Sequence, residues 1–365
     1  MTADRCGVAA VAAHGLPGVG TRRGAAKRRS AAEWSELRRH VAHQRLGGVL
    51  ARAIASGAID ASDEQARDAY ALAMEEAATD LLLERALLRW SAVLESTAIP
   101  YRVLKGAALA HLVYPEPAVR SFGDVDLLVR SAELDAAVVA FTRAGLQRRS
   151  PELHPGFDRR FGKGVTFVDS DGWELDLHRT LAPGPFGLRV DDSGLFAAAP
   201  EWLTLGGRTL PCLAPTDMFL HACLHAVLGD AEPRWGALRD VVQLAHDRRV
   251  EPHEVITRAR SWRVDAVVAR AVSTAWTLLD VDADLELVRW AQSEQPTRRD
   301  EHLLAAYGSG RSYARLAAAS LPEIPGWADR IRFAVWHANP RGRTRRPAQH
   351  IRRVIRAAAG KPVPR

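Results

Sequence analysis

Cysteine is scarce in this chain of 365 residues, which contains only Cys6, Cys212 and Cys223. No two of them form a C-x-x-C pair, and three cysteines do not provide the even-numbered framework of a disulfide-stapled secreted domain. The sequence therefore argues against a small disulfide-rich fold and against a zinc site built from thiolates.

Long apolar segments are missing as well. No uncharged apolar run approaches the length of about 18 residues that a membrane-spanning helix needs. The uncharged stretch at residues 6–20 is interrupted by Pro17, and an arginine-rich block follows it, whereas a signal peptide has its basic residues first. We predict a disordered basic leader at residues 1–29, no membrane association and a cytoplasmic location.

Acidic residues are absent from the C-terminal end, where residues 330–365 contain eleven Lys and Arg and no Asp or Glu. Residues 1–29 hold six basic residues and one acidic residue, whereas residues 30–329 hold 33 basic and 42 acidic residues. The net charge of +7 is therefore a property of the two ends and not of a positively charged groove. An acidic body argues against long nucleic acid lying in a cleft.

The chain is longer than one hydrophobic core usually serves, and its apolar pattern changes twice. Apolar residues at spacings of three and four predict helices over residues 30–98, with a capping box formed by Ser62 and Gln65. Short strands and helices alternate over residues 99–181, which predicts a small α/β core.

The second half of the chain returns to helix. Residues 182–213 are rich in Pro and Gly and contain one predicted hairpin, and helices follow over residues 214–320. Residues 321–365 form a basic tail. The predicted fold class is therefore α+β, with a small mixed-sheet core flanked by helical N- and C-terminal regions.

The segment F-G-D-V-D-L-L-V at residues 122–129 carries the strongest chemical signal. Side chains alternate along a strand, so Asp124 and Asp126 point to one side while Val125 and Leu127 face the core. Two adjacent carboxylates repel each other, and a bound cation relieves that repulsion; oxygen ligands of this kind suit Mg²⁺. The alternative is a solvated strand end with two surface aspartates.

A turn upstream offers a place for phosphate. Lys105 and Gly106 lie where a strand passes into a helix, and glycine permits close approach of a phosphate to the free N–H groups of the helix start. Lysine is rare, with only four residues in the chain, so a lysine at this turn is notable. On a later strand, Glu174, Asp176 and His178 share one face, and Asp176 could complete a two-metal site.

These residues resemble a known family. The segment V-L-K-G-A-A-L-A-H-L-V-Y-P-E-P-A-V-R-S-F-G-D-V-D-L-L-V, followed by E-L-D-L-H, is similar to the uncharacterised nucleotidyltransferases, within the superfamily typified by DNA polymerase β. The resemblance covers roughly residues 30–290, and the motif block at residues 103–129 is its specific part. It implies that residues 99–181 form a nucleotidyltransferase core.

The resemblance also implies roles for individual residues. It makes Asp124, Asp126 and Asp176 the catalytic, metal-binding carboxylates, and it makes Gly106 the glycine of the nucleotide-binding turn. Ala107 stands where the wider superfamily has serine, so a hydroxyl contact to the triphosphate is missing.

Further residues are assigned to the nucleotide from their position near this motif. Lys105 could replace the missing hydroxyl contact, and Arg120, beside Ser121, could hold the β- and γ-phosphates bidentately. The alternative for Arg120 is a surface salt bridge. Glu174 and His178 are accessory candidates, for which solvation at an edge strand is the alternative.

The activity that follows is transfer of a nucleoside monophosphate from an NTP to a hydroxyl-bearing acceptor, with release of pyrophosphate. Two Mg²⁺ ions are expected, and Mn²⁺ could replace them. A small molecule, a peptide or protein hydroxyl, and an RNA end all fit as acceptor. The alternative function is a catalytically degenerate nucleotidyltransferase fold that tethers RNA or a partner protein through its basic tail.

Two further features have competing interpretations. His221 and His225 lie four apart on a predicted helix, with Asp217 and Asp240 near in sequence; they either pack against another helix, contact substrate, or belong to a metal phosphohydrolase site. In the tail, Phe333, Trp336 and His337 could stack on nucleotides while the following arginines bind phosphates, which would recruit RNA. The alternative is a solvated tail, whose removal would leave turnover unchanged.

Overall fold

The structure is a computed structural model that describes residues 3–20, 29–308 and 312–338. Its strands are β1 (Tyr101–Val103), β2 (Val125–Val129), β3 (Gln147–Arg148), β4 (Gly164–Val168), β5 (Glu174–His178), β6 (Trp202–Leu205) and β7 (Arg208–Pro211). Its helices are α1 (Ala3–Ala13), α2 (Ala31–His43), α3 (Gly47–Ala55), α4 (Asp63–Ser96), α5 (Ala107–Leu112), α6 (Leu134–Arg143), α7 (Phe157–Arg160), α8 (Gly184–Gly187), α9 (Asp192–Ala197), α10 (Pro215–Leu228), α11 (Trp235–Ala245), α12 (Pro252–Ser261), α13 (Asp265–Leu279), α14 (Glu286–Ser293), α15 (Arg298–Ala305), α16 (Tyr313–Ser320) and α17 (Trp327–Ala338).

Five strands form one mixed sheet in the order β1-β2-β5-β4-β3. β2 and β5 are parallel neighbours, and the other adjacent pairs are antiparallel. The register places Asp126 of β2 directly opposite Asp176 of β5. Because residues paired in register project to the same face of a sheet, this pairing brings the two carboxylates together. The predicted α+β class with a small mixed sheet is confirmed.

Helices from the N-terminal and the C-terminal parts of the chain pack against the sheet. The long helix α4 begins at a capping box in which Ser62 and Gln65 each accept the other's backbone N–H, as predicted. Helices α10 to α14 lie where the apolar periodicity predicts helices. Their buried side chains, together with those of the sheet and of the N-terminal helices, form one continuous hydrophobic cluster. The division of the chain into six segments therefore stays a prediction.

The N-terminal leader differs from the prediction of disorder. Residues 3–13 form α1, and Val8, Val11 and Leu16 are buried in the main hydrophobic cluster. The buried guanidinium of Arg239 donates hydrogen bonds to the carbonyl oxygens of Ala12 and His14. The prediction of a disordered leader is thus wrong for residues 3–20, because a short apolar helix gains stability from burial against neighbouring helices.

The C-terminal tail also begins with ordered structure. Phe333 and His337 on α17 are buried against a satellite cluster that includes Phe157 and Phe161. Trp336 stacks on His154, with ring centroids 5.4 Å apart. The prediction that these aromatic side chains are free to stack on nucleotides is therefore wrong. The predicted phosphate-binding arginines Arg341, Arg343, Arg345 and Arg346 lie outside the described residues.

Truncation distinguishes the two parts of this tail. Removing residues 330–365 should lower the melting temperature by several degrees relative to removing residues 339–365 alone. The longer truncation deletes the buried Phe333 and His337, and burial of one large apolar side chain contributes about 1.5–3 kcal/mol. Thermal unfolding of the two shortened proteins measures the difference, and equal melting temperatures would contradict the packing of α17.

No helix among the described residues combines the length and apolar character that crossing a membrane requires, the 34-residue α4 included.

Candidate active site

The turn between β1 and α5 requires a glycine. Gly106 has φ of 60° and ψ of −122°, a conformation that residues with a Cβ rarely adopt. A Cβ at this position would also lie 3.4 Å from the ring of Phe122. Leu104, two residues before Gly106, donates its N–H to the carbonyl of Asp126 at 3.1 Å, which ties the turn to β2. The Lys105 side chain is thereby held beside the carboxylates of β2.

Lys105 lies between the two aspartates of the D-x-D motif. Its Nζ is 2.8 Å from Oδ2 of Asp126 and 3.4 Å from Oδ2 of Asp124. Burial disfavours the ammonium charge, but the nearby carboxylates outweigh burial and raise the pKa of Lys105 above its ordinary value. Lys105 is therefore a charged side chain that is already paired with these carboxylates in the protein, and its contact to the triphosphate stays a prediction.

Asp126 and Asp124 respond differently to this environment. Asp126 is buried, and although burial opposes its charge, Lys105 and a hydrogen bond from His178 hold the pKa of its carboxyl well below the usual range. Asp124 precedes β2 and its side chain is 35% exposed. Repulsion from Asp126 is the main cause that raises the pKa of Asp124. Of the two carboxyl groups, the buried one of Asp126 therefore stays ionised to lower pH than that of Asp124.

A third strand residue completes a candidate metal centre. Asp126, Asp176 and His178 each present a ligand atom, and these atoms lie within 4.8 Å of one another. Nε2 of His178 is 2.8 Å from Oδ1 of Asp126, and both side chains are buried. Burial is the main cause that lowers the pKa of His178, which favours the neutral imidazole that metals bind. The structure therefore brings together two predicted carboxylates and the accessory candidate His178.

Asp176 has a partner that the sequence analysis missed. Thr166 on β4 lies opposite Asp176 and donates its hydroxyl to Oδ1 at 2.6 Å, which orients the carboxylate. The hairpin register, counted from the Asp169–Gly172 turn, contained the signal that pairs these positions. Glu174 begins β5, where it forms an exposed ion pair with Arg149 and takes no part in the metal cluster.

Arg120 occupies a different environment from the one predicted. Its Nε and Nη2 donate to Oδ1 and Oδ2 of Asp240, each at 2.8 Å, and Tyr114 donates its hydroxyl to the same carboxylate at 2.8 Å. Asp240 is buried and the Arg120 side chain is largely buried. Because both carboxylate oxygens of Asp240 hold its guanidinium, Arg120 ties the loop before Asp124 to α11, and the assignment of phosphates to Arg120 stays a prediction. The alternative of a surface salt bridge is wrong, since the pair is buried.

His221 and His225 lie on α10 above the Lys105 turn, where both line a small cavity with Lys105 and Asp240. Burial is the main cause that lowers the pKa of each histidine well below its usual value. Their candidate phosphohydrolase partners are engaged elsewhere, since Asp217 pairs with Arg258 and Asp240 with Arg120. A separate metal site is therefore not assembled from these four residues. The ring of His221 lies 6.5 Å from that of His178, beside the cluster that contains Asp126.

A comparison with family models decides the family. Residues 30–280 match the model described as uncharacterised nucleotidyltransferase. The chain belongs to this family. The matched range is close to the range of roughly 30–290 that the motif resemblance indicates, and it contains every site residue named above.

Comparison with solved structures finds an antigenic nucleotidyltransferase-like protein from Paracoccidioides brasiliensis. The two chains are 14% identical, with a TM-score of 0.33, and the match covers 57% of this chain and 95% of the other. A search of the curated proteins finds no match.

In this nucleotidyltransferase family member, two acidic residues of α4 support the loop that leads to Asp124. Asp80 accepts the N–H of Phe122 at 2.9 Å, and Glu76 accepts the N–H of Gly47 at 2.9 Å. Ser121 is buried beside both carboxyl groups, and its contact to nucleotide stays a prediction. Burial raises the pKa of Glu76 to about 7 and that of Asp80 to about 6.

The raised pKa of Glu76 predicts a pH-dependent stability. The folded state binds the proton of Glu76 more tightly than the unfolded chain does, so this contribution is complete below pH 4.5 and is lost as pH rises to about 7. Glu76→Gln, which keeps an acceptor for Gly47, should therefore stabilise the protein above pH 7 by about 1–3 kcal/mol and have little effect at pH 4.5. Thermal unfolding from pH 4.5 to 8 measures this. The exposed neighbour Glu75 provides the matched control, Glu75→Gln, and an equal response of both variants would contradict the prediction.

Lys163 is a further residue near the site that the sequence analysis did not single out for function. Its carbonyl accepts the N–H of Arg179 at 2.9 Å, directly after His178, and the next residue, Gly164, pairs with His178. Burial lowers the pKa of Lys163, as does the charge of Lys105, while the carboxylates of Asp126 and Asp176 act in the opposite direction. The rarity of lysine in the sequence was the only signal that could have pointed to it.

Proposed function

We propose that this protein transfers a nucleoside monophosphate from an NTP to a hydroxyl-bearing acceptor and releases pyrophosphate. The observation that carries the proposal is the convergence of Asp126 and Asp176, from adjacent parallel strands, beside the Gly106 turn. A degenerate fold would not need to retain the buried Asp126 and the half-buried Asp176 in one cluster, because carboxylates held close together repel each other. This convergence favours the enzyme over the alternative of a binding module.

The residues of the cluster fit a divalent ion. One ligand atom from each of Asp126, Asp176 and His178 lies within 4.8 Å of the other two, and two carboxylates with one imidazole are a donor set that divalent ions bind. Asp126, Asp176 and His178 would hold the ion, for which Mg²⁺ is expected and Mn²⁺ also suits the mixed oxygen and nitrogen donors. A divalent ion bound there would lower the pKa of the acceptor hydroxyl and stabilise negative charge on the reacting phosphate.

Residues of this protein would orient the reacting groups and accept the proton of the acceptor hydroxyl. The oxygen of the acceptor hydroxyl would attack the α-phosphorus, and the bond from that phosphorus to the oxygen of the β-phosphate would break. Asp176 would accept the hydroxyl proton on the oxygen that does not bind Thr166. The N–H groups after Gly106 and the nearby ammonium of Lys105 would offset the charge of the departing pyrophosphate.

The charge distribution bears on the acceptor class. The acidic body favours a small molecule or a protein hydroxyl over long nucleic acid. An RNA end recruited by the basic residues after 338 is the second candidate acceptor. RNA would be favoured as the acceptor if the protein binds RNA with an affinity that falls steeply with salt, and if removal of residues 339–365 abolishes this salt dependence.

The direct test is pyrophosphate release from each of the four NTPs, with Mg²⁺ or Mn²⁺ and with EDTA as control. We expect release that requires a divalent ion and increases when an extract containing the acceptor is added. Absence of release with every NTP and both ions, in the presence of such extracts, would favour the binding module.

A further inference from the structure

The ammonium of Lys105 occupies the place between the two carboxylates of the D-x-D motif. It lies 2.8 Å from Asp126 and 3.4 Å from Asp124. In a two-ion arrangement, a carboxylate pair of this kind holds the metals jointly. Here a positive charge that belongs to the chain is already bound at the pair. The D-x-D motif is therefore neutralised in part before any metal binds.

The two oxygens of Asp126 are directed to different partners. Oδ2 faces Lys105, whereas Oδ1 is 2.8 Å from Nε2 of His178, on the side where Asp176 completes the cluster. An ion on the His178 side would replace one hydrogen bond and leave Lys105 in place. An ion shared by Asp124 and Asp126 would have to displace the ammonium.

Displacement of Lys105 has no favourable destination. The side chain projects from a turn held by the backbone of Gly106 at positive φ and by the bond from Leu104 to Asp126. Among the described residues that line the adjoining cavity, Asp240 is the one carboxylate, and it already holds Arg120 and Tyr114. The other polar wall consists of His221 and His225. An ammonium displaced into this cavity would thus lose two carboxylates and gain no anionic partner from the cavity lining, which is costly for a buried charge.

We propose that Lys105 replaces one of the two metal ions: the chain binds a single divalent ion at Asp126, Asp176 and His178, while the Lys105 ammonium stays between Asp124 and Asp126. This inference rests on the proposed function and changes the expected number of ions from two to one. It also makes Asp124 a partner of Lys105 instead of a ligand of the bound ion.

Counting bound Mn²⁺ by electron paramagnetic resonance tests this inference without any turnover. The wild-type protein should bind one Mn²⁺ with the spectrum of an isolated ion. Lys105→Met should bind a second ion, and the two should show spin coupling, since paired ions lie about 4 Å apart in two-metal sites. Lys163→Met, which removes the other lysine near the cluster, is the matched control and should still bind one ion. Two coupled ions in the wild type, or one ion in Lys105→Met, would overturn the inference.

A second variant covers the case in which Lys105→Met does not fold. Asp124→Asn removes a partly exposed carboxylate and should leave the single Mn²⁺ bound with its affinity changed less than about threefold, since Asp124 is not a ligand. If two ions were shared by the motif, the same variant would lose one of them. The nitrogen coupling of His178 in the Mn²⁺ spectrum, which should vanish in His178→Gln, locates the ion. Two bound ions with normal turnover would overturn the inference alone, whereas no bound ion would count against both it and the metal-dependent activity.

Discussion

Asp126→Asn should reduce nucleotidyl transfer by at least about three orders of magnitude. Removal of a single group that stabilises the transition state typically costs a factor of 10²–10³, and Asp126 contacts Lys105 and His178 in addition to facing the proposed ion. Asparagine is nearly the same size and keeps one oxygen acceptor, so the backbone around β2 should be retained. The rate of pyrophosphate release at saturating NTP measures the effect.

The exposed Asp171, on the turn between β4 and β5, provides the matched control. Asp171→Asn changes the same charge on the surface of the hairpin and should keep the wild-type rate. Near-wild-type turnover of Asp126→Asn would remove this residue from the mechanism. Carboxylate repulsion alone would predict that Asp126→Asn raises thermal stability, but its pairing with Lys105 and His178 predicts a lower melting temperature instead. The carboxyl of Asp124 is the more strongly repelled of the two, so a gain in thermal stability is expected for Asp124→Asn.

Asp240→Ala should lower the free energy of unfolding by about 3–5 kcal/mol, the usual cost of removing one partner of a buried ion pair. The variant leaves the Arg120 guanidinium and the Tyr114 hydroxyl without their shared acceptor. Denaturant-induced unfolding at neutral pH measures the change. The exposed Asp230, which pairs with Arg234 on the surface, supplies the control Asp230→Ala, for which less than about 1 kcal/mol is expected.

The double variant separates a structural role of Arg120 from a role in nucleotide binding. Arg120→Met with Asp240→Leu should recover a large part of the stability lost in Asp240→Ala, because it removes both buried charges together. The KM for NTP should rise little in the double variant if Arg120 only holds the loop. A tenfold or larger rise in the KM of the double variant, together with unchanged stability of Arg120→Met, would instead support a role of Arg120 as a phosphate ligand.

Local patterns predicted those parts of the fold that depend on neighbouring residues. The strand that follows Asp124, the capping box at Ser62 and the hairpin that contains Asp176 all appear at their predicted positions. Each of them depends on periodicity or on spacings of a few residues, which a single sequence displays directly. The approximate position of the site could be predicted for the same reason.

Partners that are distant in sequence could not be predicted from such patterns. Arg120 and Asp240 are 120 positions apart, and nothing local shows that α11 brings its carboxylate to the loop before Asp124. The helix α1 forms from a segment without strong amphipathic signal because tertiary packing stabilises it. The placement of Lys105 between the aspartates likewise depends on how the β1–α5 turn packs on β2. Such contacts can be identified only once the three-dimensional arrangement of the elements is known.

Positional labelling of the NTP tests the central claim most directly. Parallel reactions with α-³²P and γ-³²P NTP report which phosphate bond breaks and where each phosphorus goes. The account predicts that, with a divalent ion, the α-label enters an acceptor-linked product while the γ-label leaves as pyrophosphate. With Asp126→Asn, neither product should form. Transfer of the γ-label to the acceptor, or its release as free phosphate while the α-label stays in NDP, would contradict nucleotidyl transfer.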